Sequence, residues 1–317
     1  MAKRKLKKKF KLVLWAIVII IAVAFGINRY KLYKYHQTDE YKLLEVGYSE
    51  KETKVILDKL KGIQISKLLE QDKKDYLVSL LTSKYFMIKY YNDYLNYYKE
   101  NKDKSIEDIV AIVNVGATRE WYEDTVETDT SKGIALLVNK FHMLRDDYDV
   151  GEVKSFSSSY AYGDVSAASE CYDAFIKMAD AAKEDGIALA LSSGYRSYDE
   201  QESTYASMAN SSGKDYADKY AARPGASEHE TGYALDILSN GQYIYTSNFK
   251  ESPAYEWLDK HAAEYGFILR YPEGKEHITG YNPESWHYRY IGVDLASKVK
   301  SEGITYDEYY AFYLDNE

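Results

Sequence analysis

The feature that most constrains this chain lies at its start, where Leu12 to Ile27 form sixteen consecutive uncharged residues, rich in Ile, Val and Leu. Such a run reads as a single helix of about 24 Å, slightly short of a ~30 Å hydrocarbon core unless flanking side chains snorkel or the bilayer thins. Trp15 and Tyr30 stand where interfacial aromatics belong. Lys3, Arg4, Lys5, Lys7, Lys8, Lys9 and Lys11 precede the run with no acidic residue among them. Because basic flanks stay cytoplasmic, this predicts a cytoplasmic tail (1-11), a transmembrane anchor (12-28) and everything after about residue 30 outside the cell. Ala22-Val23-Ala24 offers the small-x-small form of a cleaved signal peptide, but it sits inside the apolar run with Phe25 after it, so an uncleaved anchor is the preferred reading. No cysteine follows the run to carry a lipid.

Those seven basic residues belong to a chain of net charge -9, so the remainder carries -16. A body that acidic repels phosphate backbones, which argues against nucleic acid as a partner. Cys171 is the only cysteine, excluding an intramolecular disulfide and a cysteine-based zinc site. Its apolar helical neighbours mark it as a small core residue rather than a nucleophile.

The exported part changes character along its length. From Ser49 to about Asn101 the pattern is helical: Ser49 and Glu52 form a capping box, Gly62 is read as closing the first short helix, and Phe86, Tyr90, Tyr94 and Tyr97 share a helical face taken as a packing stripe. With 35 tyrosines in the chain, any single one carries little information. All four prolines fall in the last third. There the sequence predicts a helix over Ser166 to Glu184 stopped by Gly186, strands over Ile187 to Leu191, Gly232 to Leu238 and Trp286 to Ile291, and a helix opened by Ser252-Pro253 and closed by Gly266. The expected architecture is α+β: a helical membrane-proximal region (29-130), then a domain (131-317) with an antiparallel sheet and flanking helices.

Within that domain His229 occupies a turn, and Asp236 lies well along the following strand on the face opposite Leu235 and Ile237. A carboxylate in such apolar company must be solvated, paired or metal-bound. Glu284-Ser285-Trp286-His287 opens another strand with a second histidine. Two histidines and one carboxylate are a familiar catalytic zinc set, and a glutamate three residues before the last histidine is placed to take a proton from water. Taken alone, His229 and Asp236 are better read as a hydrogen-bonded structural pair; the combination carries the metal reading. Glu228 and Glu230 flank His229 and are read as solvent-facing. His36, His142 and His261 have no metal-like partners and are assigned to surface or packing, while His277 is expected to line a cleft.

Ser227, His229, Gly232, Ala234 and Asp236 match S-x-H-x-x-G-x-A-x-D, and Glu284 with Trp286-His287 resembles E-P-W-H, two motifs of the VanY-type D-alanyl-D-alanine carboxypeptidases. Ser192-Gly194-Tyr195-Arg196-Ser197 with Gln201 is similar to that family's S-x-G-Y-R-S…Q segment, and the resemblance runs from about Leu136-Leu137-Val138-Asn139-Lys140 to about Gly292. It implies Zn2+ on His229, Asp236 and His287, with Glu284 as general base and then proton donor. It also implies Arg196 on the scissile carbonyl or the substrate carboxylate, with Gln201 and Ser227 as secondary contacts. Ser285 departs from the family's usual proline. The implied activity is D,D-carboxypeptidase action on peptidoglycan stem peptides ending in D-Ala. The alternatives are L,D-carboxypeptidase action on tetrapeptide stems, a non-catalytic wall-binding domain, and a main role for the helical region in docking a partner. The contacts that separate D,D from L,D action are assigned to loops such as Ala209 to Pro224.

Overall fold

The structure, a computed structural model, describes residues 2–239 and 247–315. Two compact units are distinguished, Met1–Lys89 with Ser105–Val110 and Tyr90–Lys104 with Ala111–Glu317.

The first unit opens with one helix, Ala2–His36, longer than the apolar run requires because the lysine-rich flanks on both sides are themselves good helix formers. Its apolar side chains, Leu12, Trp15, Ile20 and Phe25 among them, are exposed along its length. Short helices follow. Ser49 and Glu52 form the reciprocal capping box at the start of Glu50–Lys59. That helix ends when buried Leu60 turns extended; Gly62, at φ 52°, instead precedes the next helix, Ile63–Leu69.

In the second unit the helix Tyr91–Glu100 carries Tyr94 and Tyr97, with Tyr94 fully buried and its hydroxyl bonded to Asn114 Oδ1. The expected stripe is interrupted, since Phe86 lies outside any helix and Tyr90 ends a single 3-10 turn. Two short ladders precede the main sheet. β1 (Val126–Glu127) pairs in parallel with β2 (His142–Met143), and β3 (Val153–Ser155) pairs antiparallel with β4 (Ser166–Ala168). Ser166 therefore begins a strand, and the predicted helix starts only at Ser169, running to Glu184.

The main sheet has the order β5-β6-β8-β7, all antiparallel: β5 (Leu189–Ser193), β6 (Ala234–Ser239), β7 (Phe267–Tyr271) and β8 (Glu284–Tyr290). β7 was not anticipated, because Arg270 interrupts an otherwise apolar strand. It starts where Gly266, at φ 88°, closes the turn after the helix Pro253–His261. One face of the sheet, with Leu235, Ile237 and Tyr288, packs on Phe175 and Met178 of Ser169–Glu184 and on Leu258. Full burial of side chains such as Phe175 stabilises the unit by about 1.5–3 kcal/mol each. The pleat alternates, so Asp236, His287 and Arg289 point to the other face, where the polar groups gather.

Candidate metal centre and active site

The site grows from the β6 and β8 register, which sets Asp236 directly opposite His287. Adjacent cross-strand positions bring side chains of one face together, and His287 Nδ1 lies 3.4 Å from Asp236 Oδ1. His229 reaches the same oxygen from a 3-10 turn, Glu228–Thr231, at 3.6 Å through Nε2. That turn ends at Gly232 in the left-handed region at φ 71°, where a Cβ would also meet Val150 Cγ2 at 2.7 Å. One ligand atom from each of His229, Asp236 and His287 falls within 4.8 Å of the others, and all three residues are buried.

The hydrogen bonds leave the right atoms unused. His229 Nδ1 lies 2.7 Å from Gly194 O and must donate to it, so its Nε2 lone pair faces the cluster. His287 Nε2 faces Glu228 Oε2 at 3.4 Å, so Nδ1 carries its lone pair inward. Asp236 Oδ1 is buried with no hydrogen-bond partner. A buried carboxylate oxygen facing two imidazole lone pairs is costly unless a cation sits among them, and this donor set fits zinc.

Glu284 opens β8 with its side chain 16% exposed and Oε2 3.6 Å from His287 Nδ1. Burial pushes its carboxyl up to about 7, against the pull of His287. Arg196 follows β5; its Nη1 donates to Gln201 Oε1 at 2.5 Å and its Nη2 to Ser193 Oγ at 3.0 Å. Gln201 in turn donates through Nε2 to Ala222 O at 2.6 Å, so both ends of its amide are committed. The backbone N–H of Ser227 donates to Glu230. All seven residues named from sequence line one cavity of about 490 Å³, with Tyr216, Tyr220, Tyr271, Tyr281 and Trp286 also on its walls.

The two flanking glutamates are a correction. Glu228 is 1% exposed, and it accepts from Arg270 Nε at 2.7 Å and Arg289 Nη1 at 3.0 Å. Burial would raise its carboxyl, but the two guanidinium groups outweigh that and hold it well below the usual carboxylate range. Glu230 is buried as well, capping the N–H groups of Gly225 and Ser227; burial pushes its carboxyl up to about 7 against those bonds. From sequence both look solvated, because their partners are distant along the chain or are backbone N–H groups. An arginine inside each of two strands, Arg270 in Phe267–Tyr271 and Arg289 in Glu284–Tyr290, is the available signal for a buried acid.

The remaining histidines stand apart from the cluster. His36 stacks on Tyr41, His142 packs edge-on to Tyr310, and His261 pairs with Glu264. His277 is not among the cavity-lining residues. Cys171 is fully buried, which pushes its thiol far above its ordinary range and removes it as a nucleophile.

Residues 164–293 match the family model VanY, D-alanyl-D-alanine carboxypeptidase. The D-alanyl-D-alanine carboxypeptidase of Enterococcus faecalis (strain ATCC 700802 / V583) is 34% identical over 201 residues, covering 59% of this chain and 71% of that protein. Among solved structures, the LdcB LD-carboxypeptidase, described with its peptidoglycan recognition, is similar at TM-score 0.56 and 34% identity over 60% of this chain and 91% of that one. A variant of the vancomycin resistance D,D-pentapeptidase VanY, in complex with Zn(II), is similar at TM-score 0.48 and 32% identity, covering 55% of this chain and 97% of its own.

Proposed function

Because the chain belongs to the VanY family of D-alanyl-D-alanine carboxypeptidases, we propose that it is a zinc-dependent D,D-carboxypeptidase that removes the terminal D-Ala from peptidoglycan stem peptides. The observation that carries this is the junction, in one cavity, of a three-ligand cluster with an adjacent carboxylate and a cation, Glu284 and Arg196. His229, Asp236 and His287 would hold the metal. When bound, zinc supplies Lewis acidity, lowering the pKa of water and polarising the scissile carbonyl. Glu284 accepts the proton released as the water oxygen bonds to the carbonyl carbon, and delivers it to the departing amine as the C–N bond breaks. Its buried setting, which raises the carboxyl, suits a group that first accepts and then returns a proton. Arg196 binds the developing oxyanion or the substrate's terminal carboxylate, its guanidinium steadied by Gln201 and Ser193. Ser227 lines the same wall as a secondary contact.

The second reading, L,D-carboxypeptidase action on tetrapeptide stems, is favoured by the similarity to LdcB. Both reactions call on the same metal cluster and differ in the residue that precedes the cleaved bond. Residues 131–317 form the catalytic domain in this proposal, with 29–130 a membrane-proximal helical region. The apolar helix would tether them outside the cell, an orientation consistent with its basic N-terminal flank.

Mass spectrometry of defined stems after incubation with the zinc-loaded protein tests the activity. Loss of one alanine from the pentapeptide, with the tetrapeptide intact, is the expected result. Trimming of the tetrapeptide alone selects the L,D reading, and two intact substrates select the non-catalytic one.

A further inference from the structure

Outside the ligand set, a cluster of buried charge lies against His287, and nothing in the mechanism above uses it. Arg270 and Arg289 are 0% exposed, Glu228 1% and Asp307 2%. Two cations and two anions balance, but such clusters are dearly desolvated, and apolar side chains of equal volume often serve stability as well or better. The cluster therefore asks for a role other than packing.

We infer that Asp307, in the helical segment Tyr306–Tyr309 near the end of the chain, is a positioning residue for the metal centre, acting through Arg270 and Glu228 on His287. The inference rests on the assignment of His287 as a zinc ligand. Glu228 has two oxygens and divides them: Oε1 takes Arg270 Nε and Arg289 Nη1, which leaves Oε2 for His287 Nε2. That division holds only while each guanidinium is anchored at its far end. Arg289 Nη2 donates to Ile134 O at 3.1 Å and Leu136 O at 3.0 Å. Both Nη groups of Arg270 go to Asp307, whose Oδ1 also accepts from Asn139 Nδ2 at 2.8 Å.

Asp307 thus holds the two Nη groups of Arg270 away from Glu228 Oε2, while Nε stays on Oε1. Without its charge the Nη groups would turn to Glu228, the other buried carboxylate Arg270 touches among the described residues, competing for the Oε2 that His287 needs. His287 would then lose the acceptor that fixes its tautomer and turns Nδ1 toward Asp236. The relay also gives a task to the Leu136–Lys140 segment, which supplies both Leu136 O and Asn139 to its outer anchors.

The test is the zinc dissociation constant, measured on the full chain by competition with a chelator, beside thermal denaturation of each variant. Glu228→Gln is expected to weaken zinc ten- to a hundred-fold and Asp307→Asn about ten-fold. The double variant should bind zinc no more weakly than Glu228→Gln alone, because both changes break one path; a packing role predicts that the two losses multiply. Multiplying losses, or Asp307→Asn within two-fold of the parent, overturns the inference. If Asp307→Asn does not fold, Arg270→Lys serves instead: it keeps the charge, cannot reach both carboxylates, and should weaken zinc several-fold, whereas unchanged affinity overturns the relay. His287→Ala separates the premise from the inference, since undiminished zinc in that variant removes the ligand assignment itself.

Discussion

The floor and the rim of the catalytic cavity are built on opposite plans. On the floor, β6, β8 and the Glu228–Thr231 turn hold His229, Asp236 and His287 buried, each imidazole fixed by an acceptor on its far nitrogen. The rim comes from two helices, Tyr198–Ser212 and Lys214–Tyr220, joined at Gly213 and followed by the segment 221–224. Tyr216 and Tyr220 there are 47% and 46% exposed. A rigid floor suits chemistry common to every substrate of the class, because geometry set by paired buried groups does not adapt. A rim of exposed aromatics on short helices is where substrates that differ by one residue can be told apart.

The comparison breaks most directly at the floor. His229→Ala is expected to lose nearly all bound zinc and all measurable hydrolysis, read by metal analysis beside D-alanine release. Retention of zinc would return His229 and Asp236 to a structural pair. Glu284→Gln sharpens the contrast, since it should keep zinc and fold while activity falls about 10²- to 10⁴-fold, the usual worth of a general base. A variant within a few-fold of the parent at equal zinc occupancy would remove Glu284 from the role of general base.

Arg196 joins floor to rim, and Gln201 is its support. Gln201→Ala removes the acceptor for Nη1 and the tie to Ala222 O, while leaving the ligands untouched. A hydrogen bond to a charged group is worth about 1.5–3 kcal/mol, so kcat/KM should drop about ten- to a hundred-fold, with zinc affinity unchanged. Steady-state kinetics and chelator competition on one preparation check both halves; weaker zinc would place Gln201 with the floor instead.

How much of this could be read from the sequence follows the same division. His229, Asp236, Glu284 and His287 were picked out by their resemblance to family motifs, since chemistry and spacing alone left His229 and Asp236 better read as a structural pair; the structure sets all four on one cavity. Glu228 was misread, since its burial depends on Arg270 and Arg289, which lie 42 and 61 residues further on and meet it only once β7 and β8 pair. β7 itself went unseen because a charged residue in mid-strand looks like a solvated one until its partner is known. Along the rim, helical segments with exposed tyrosines gave no pattern that separates a binding wall from a solvated face, in a chain with 35 tyrosines.

The smallest effect expected lies at the rim. Tyr216 and Tyr220 stack on each other with ring centroids 4.5 Å apart and both line the cavity, so one ring braces the other. The helix that carries them is pinned at its C-terminal end. Lys140 Nζ donates to Asp218 O and Gly280 O at 2.5 Å each, and Arg223 makes a two-pronged ion pair with Asp218, 2.9 Å from Nε and 2.7 Å from Nη2. The pair can therefore present a fixed aromatic surface despite its exposure. An aromatic contact of this kind contributes about 0.5–1.5 kcal/mol, which corresponds to a two- to ten-fold change in kcat/KM. Tyr220→Ala should leave zinc binding intact and alter hydrolysis of pentapeptide and tetrapeptide stems by different factors within that range, because the substrates differ where they meet the wall and not at the floor. Rates for both stems, measured side by side, decide it: equal factors would mean that the rim supports the helix without discriminating, and that selection between the two stems resides with the floor.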